Sequence, residues 1–182
     1  MKIEKTAIEG VVIVHPDVFE DERGYFMESY SLKKWQAAGL EYTFVQDNES
    51  KSAKNVLRGL HFQKPPFAQD KIVRVIRGAV MDVAVDIRTG SPTYGKHVCV
   101  ELTESNKLQF LLPAGMAHGF VAREEGSIFA YKVTAPYAPQ SEGCLLWNDP
   151  DLGIDWKCDT PLLSAKDQAG ERFKTFSSPF KY

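Results

Sequence analysis

Cysteine is scarce and scattered: the chain has three, Cys99, Cys144 and Cys158, with no C-x-x-C or clustered spacing. An odd, unclustered set fits reduced thiols in a cytoplasm rather than a disulfide framework. There is no apolar run of membrane-spanning length, and the opening Met1-Lys2-Ile3-Glu4-Lys5 lacks the apolar stretch of a secretory signal. A basic excess is missing as well. Twenty-two Lys and Arg against 24 Asp and Glu give a formal charge of −2, which argues against nucleic acid held through its phosphates. No repeat, low-complexity tract or linker divides the 182 residues, so one domain over 1–182 is expected, long enough to bury a core without staples. Helical signal is nearly absent too. Ser31 is placed to cap Leu32–Ala38, with Gly39 ending it, and a short turn is expected near Ser164–Ala169.

What is present is β-sheet. Aromatic residues reach 12%, and short β-branched runs recur between turn signals. Val11–Val14, Tyr25–Tyr30, Phe44–Ser50, Asn55–Gln63, Lys71–Arg77, Ala79–Arg88, Lys96–Thr103, Lys107–Leu112, Gly119–Arg123 and Ser127–Thr134 read as extended segments. Such spacing indicates a sandwich or barrel, not a βαβ fold. From Trp147 onward the tail is rich in Asp, Pro and Ser and reads as irregular.

Chemistry collects in Val56-Leu57-Arg58-Gly59-Leu60-His61-Phe62-Gln63. On a strand, His61 and Gln63 share one face while Leu60 and Phe62 share the other. Arg58 falls on the apolar parity unless Gly59 lets the strand bulge. In Val80–Arg88, Asp82, Ala84 and Asp86 form one face and Met81, Val83, Val85 and Ile87 the other. An open sheet would solvate those acids, whereas a closed barrel would require them to be paired or functional.

Two separated segments carry a resemblance. Pro113-Ala114-Gly115-Met116-Ala117-His118 matches the P-x-G-x-x-H motif of cupins, and His61-Phe62-Gln63 with Lys71 and Gly78 overlays their first motif. This implies an all-β cupin-type jelly-roll barrel (a double-stranded β-helix) with extra N-terminal strands, one short helix and an irregular C-terminal tail. The four positions that hold metal in cupins read His61, Gln63, Lys71 and His118 here. An ammonium has no lone pair and repels a cation, so a metal is disfavoured there.

Further blocks resemble the dTDP-4-dehydrorhamnose 3,5-epimerases over almost the whole chain: Asp21–Glu28, Phe44–Ser50, Leu57–Gln63, Val85–Pro92, Ala117–Phe120, Trp147–Pro150 and Leu163–Asp167. The resemblance implies a cofactor-free inversion of C3 and C5 beside the C4 ketone of a dTDP-linked 4-keto-6-deoxyhexose. Either proton is removed to give an enolate, which is then reprotonated from the opposite face. It implies His61 as base, since imidazole titrates near neutral pH, at about 6.5. Asp167 is implied as its partner, Lys71 as the enolate-stabilising cation, and Tyr131 as the proton donor. Substrate contact is implied for Arg23, Glu28, Gln46, Asp47, Asn48, Arg58, His118, Glu142 and Lys166, with Tyr137 stacking on thymine between its two prolines. Family members are homodimers, and the early strands are suited to adding onto a partner's sheet edge, an arrangement that would bring Arg23 or Glu28 to the neighbouring subunit's site. The competing expectations are a single-carbon epimerase of a related sugar, a metal-dependent cupin using His61 and His118, and a barrel that binds the nucleotide sugar without catalysis.

Overall fold

In the computed structural model, which describes residues 1–182, strands succeed one another almost without interruption. They are β1 Lys2–Lys5, β2 Val12–His15, β3 Val18–Asp21, β4 Gly24–Met27, β5 Gln46–Ser52, β6 Leu57–Gln63 and β7 Lys71–Arg77. β8 Ala79–Asp86, β9 His97–Thr103, β10 Gln109–Leu112, β11 Met116–Ala122, β12 Ser127–Val133 and β13 Glu142–Cys144 follow. Helix α1 covers Leu32–Ala37 and α2 covers Ala165–Gln168. Ser31 stands at the N-cap of α1 but makes no side-chain cap bond, so burial of Trp35 is what fixes this helix. At α2 the cap is complete: Ser164 and Asp167 form a reciprocal capping box.

Two sheets face each other. One has the order β1-β2-β10-β7-β12-β5, the other β13-β6-β11-β8-β9, and the hairpin β3-β4 stands apart. Every pairing between these strands is antiparallel. The arrangement is the expected cupin-type jelly roll, and strand alternation divides its residues among three apolar layers. Between the sheets lie Val73, Val75, Val80, Phe110, Phe120 and Phe129. Behind the five-stranded sheet lie Leu57, Leu60, Phe62, Val83, Val85 and Val121, covered by Leu145, Leu152, Trp156 and Phe180. Behind the other sheet Trp35 closes over Val12, Val14, Ile72 and Leu111. The tail is irregular in backbone yet seals a core layer.

The strand β11 begins at Met116, three residues ahead of the expected start at Gly119. Asp82 and Asp86 are fully buried, so the solvated reading of the acidic face gives way to the enclosed one. Asp86 accepts from Arg88, Ser91 and Thr93, and Asp82 pairs with His118. Burial alone would raise Asp86; its hydrogen bonds from Arg88, Ser91 and Thr93 outweigh that and hold it at about 2.

Candidate active site

The centre of the site is a bulge. Opposite β11, His118 pairs with His61 but Phe120 pairs with Arg58, so β6 carries one extra residue. Gly59 takes φ +137°, and a Cβ there would lie 2.4 Å from Gly119 Cα, which only glycine avoids. The insertion puts Leu57, Leu60 and Phe62 together behind the sheet. Arg58 then shares the inner face with His61 and Gln63, resolving its parity. Its guanidinium reaches Ser52 Oγ at 3.3 Å.

His61 Nε2 lies 2.7 Å from Asp167 Oδ1. Asp167 is rigidly seated: Gly59 N–H donates to Oδ1 at 3.1 Å and Ser164 Oγ donates to Oδ2 at 2.6 Å. Burial would raise this carboxyl, but the His61, Ser164 and Gly59 contacts outweigh it and hold it at about 2.

On the facing sheet, β7 and β12 pair Lys71 with Val133 and Val73 with Tyr131, so Lys71 and Tyr131 both point inward. Burial pulls the Lys71 ammonium down to about 8, opposed by Asp82 and Glu142. Burial raises the Tyr131 phenol, with Arg58 acting against it. His61, Gln63, Lys71, Tyr131, Gln46 and Asn48 line one cleft of about 120 Å³, together with Gln69, Tyr137 and Glu142. At its mouth Tyr137 donates to Glu142 at 3.0 Å and Lys166 pairs with the same carboxylate at 2.5 Å. Gln46 Oε1 accepts from Tyr137 N–H at 3.0 Å, tying the tyrosine loop to β5.

Arg58, Lys166 and Asp167 adjoin this cleft without lining it, and four more of the implied residues are turned to other partners. Asp47 has the opposite parity to Gln46 and Asn48 and pairs with Lys132 on the outer face of its sheet. Arg23 and Glu28 belong to the β3-β4 arm, paired with Asp21 and Lys34. His118 is 8% exposed, its Nε2 held 2.9 Å from Asp82 Oδ1. Asp82 is the residue that motif matching passed over; it lies diagonal to His118, which pairs directly with Ala84. A larger cavity of about 350 Å³ lies behind the six-stranded sheet, but its charged lining includes the Asp47–Lys132 pair and it lacks the base.

The four metal positions of a cupin do not offer a metal its donors. Gln63 Nε2 donates to Phe67 and Pro136 carbonyls, and its Oε1 accepts from Ala138 N–H. His118 is committed to Asp82, and Lys71 brings an ammonium.

An imidazole–carboxylate pair on one wall of a jelly-roll barrel, with an ammonium and a phenol on the other, defines a cupin-type acid–base enzyme. Sequence comparison makes the class particular. A family model described as dTDP-4-dehydrorhamnose 3,5-epimerase matches residues 5–175, and the chain belongs to that family. It is 54% identical over 171 residues to the dTDP-4-dehydrorhamnose 3,5-epimerase of Salmonella typhimurium, covering 93% of each chain. To that of Pseudomonas aeruginosa it is 51% identical, covering 95% of this chain and 96% of the other. The crystal structure of the Legionella pneumophila dTDP-6-deoxy-D-glucose-3,5-epimerase, in complex with dTDP-4-keto-L-rhamnose, superimposes with a TM-score of 0.95. That pair is 44% identical, covering 100% of this chain and 98% of that one.

Proposed function

We propose that this chain inverts C3 and C5 of dTDP-4-dehydro-6-deoxyglucose, giving dTDP-4-dehydrorhamnose without a cofactor. The observation that carries the reading is the opposition of walls: His61 with Asp167 on the five-stranded sheet, Lys71 and Tyr131 on the six-stranded one. C3 and C5 both flank the C4 ketone, so one base beneath the ring serves both. His61 removes a proton, and Asp167 stabilises the imidazolium that forms. The Lys71 ammonium faces the developing C4 oxyanion, where a charge enclosed in a low dielectric acts strongly. Tyr131 returns a proton from the other side and so inverts the centre. Arg58 and Lys166 bind diphosphate oxygens, Tyr137 stacks on thymine, and Gln46, Asn48 and Glu142 fix the remaining polar groups, with His118 braced by Asp82 beneath the sugar.

The reading includes a homodimer. The β3-β4 arm exposes Phe19, Tyr25 and Phe26 at 62%, 51% and 66%, an apolar surface suited to a second copy. It carries Arg23 and Glu28 away from their own cleft and towards a neighbour's, and the outward Asp47 sits on the sheet face available to the same contact. Three free cysteines support a reducing, cytoplasmic setting. The charge of −2 supports a small ligand over nucleic acid.

Incubation with the keto-sugar nucleotide in D₂O tests the reaction. Deuterium is expected at both C3 and C5, and His61→Ala is expected to remain folded without exchange. Label at one carbon alone would reassign the chain to a single-carbon epimerase, and label at neither would sink the proposal.

A further inference from the structure

Cys144 takes no part in the reaction described above, yet the register sets it directly opposite His61 on β13 and β6. Opposed residues of an antiparallel pair project to the same face. His61, Cys144 and Asp167 therefore converge, with a ring nitrogen, the thiol sulfur and a carboxylate oxygen all within 4.8 Å of one another. Zinc bonds of about 2.0–2.3 Å in a tetrahedron set N, S and O donors roughly 3.3–3.8 Å apart. The 2.7 Å contact of His61 Nε2 with Asp167 Oδ1 opens to that separation and Cys144 closes on both, through side-chain torsions at His61 and at Cys144, which is only partly buried and whose hydrogen bond is to Leu145 O at 3.5 Å. Asp167 needs no movement of its backbone, since Gly59 and Ser164 already fix it. The side chain of His61 is 30% exposed, which leaves the cluster open to entry. Mixed N, S and O donors select zinc or cadmium over magnesium or calcium.

We propose that His61, Cys144 and Asp167 form an inhibitory site for a thiophilic divalent cation, with Zn²⁺ as its ligand and a water in the fourth position. This donor set shares only His61 with the four metal positions of a cupin. Binding forms Zn–N, Zn–S and Zn–O bonds and releases the thiol proton to solvent; with the metal on the ring nitrogen that faces Asp167, the ring's one proton moves to the other nitrogen and no lone pair is left for proton abstraction. No electron transfer is involved. The inhibitory half rests on the reading of His61 as base; the binding half does not.

Cobalt makes the site visible, since a thiolate ligand gives an intense ligand-to-metal charge-transfer absorption. The titration uses the full chain carrying Cys99→Ser and Cys158→Ala, with and without Cys144→Ala. Expected are a thiolate–cobalt band saturating at one metal per chain, and its loss in the Cys144→Ala chain. Zn²⁺ is expected to stop solvent exchange reversibly with a chelator. The half-inhibiting concentration should rise about tenfold or more on Cys144→Ala, while the metal-free rate stays essentially unchanged. No band, a band that survives Cys144→Ala, or equal zinc sensitivity in the two chains would overturn the proposal. A chain with no exchange even after chelation would defeat the epimerase reading instead, and the cobalt titration would still decide the metal site.

Discussion

Replacing Lys71 by methionine is expected to make the protein more stable and nearly inactive. Burial moves this ammonium from 10.5 to about 8, so at pH 7 the folded chain still encloses a charge that the unfolded chain leaves in water. At about 1.4 kcal/mol per pKa unit the displacement corresponds to about 3 kcal/mol of folding free energy. The folded value lies below the unfolded one, so the penalty is complete below pH 8. It fades as pH climbs to 10.5, because over that window the unfolded chain binds the extra proton. Methionine has similar length and no charge. Lys71→Met should therefore stabilise the chain by about 2–3 kcal/mol at pH 7, or about 5–10 °C in Tm for a domain of this size. Loss of the charge facing the enolate oxygen should lower the exchange rate by about 10²–10³ or more. Urea unfolding of both chains at one protomer concentration, at pH 7 and again at pH 10, reads the first effect as a shift in midpoint at constant slope. A variant less stable than its parent at pH 7 would refute the argument, as would a gap that does not narrow at pH 10.

Tyr131→Phe removes the donor hydroxyl and leaves the ring; solvent exchange through His61 should continue while inversion falls by about 10²–10⁴. Unchanged product stereochemistry by NMR would remove Tyr131 from its role. Asp167→Asn should lower kcat by roughly 10³–10⁴, in line with loss of the carboxylate beside a catalytic histidine. The same substitution has a signature in acid. With Asp167 at about 2 against an ordinary 3.8, its contribution of about 2 kcal/mol is present above pH 4 and lost as pH falls towards 2. The asparagine chain should lack that segment of the stability curve. Gly59→Ala meets Gly119 Cα at 2.4 Å from a φ of +137°, and should cost about 2–4 kcal/mol together with activity. An unaltered Tm would mean that the bulge tolerates a side chain.

Alternation made the barrel legible, because a jelly roll is built of strands whose two faces meet different surroundings. β3, Val-Phe-Glu-Asp, was missed because its two apolar residues are adjacent and do not alternate, and two others because they have too few apolar residues. β1 is Lys-Ile-Glu-Lys and β13 is Glu-Gly-Cys, and both are held by backbone pairing to a neighbour rather than by their own burial. The tail escaped for another reason. Leu152, Trp156 and Phe180 are buried, but each is seated by its own loop, so no period links them. The Asp82–His118 pair depends on the register of β8 against β11, 36 residues apart in sequence, and local pattern carries no register of that kind.

The same limit explains why Arg58 stood open until the strands were paired, although its neighbours held the answer. Leu57, Leu60 and Phe62 all bury behind the sheet while His61 and Gln63 face inward. Strict alternation allows Leu60 and Phe62 together but never Leu57 with them. A strand carrying leucines three apart, with glycine between them, buries both only by inserting one residue. That insertion turns Arg58 to the inner face, and its amide N–H at Gly59 is left free of the ladder to donate to Asp167. One extra residue in β6 thus aims the arginine inward and anchors the carboxylate beside the base.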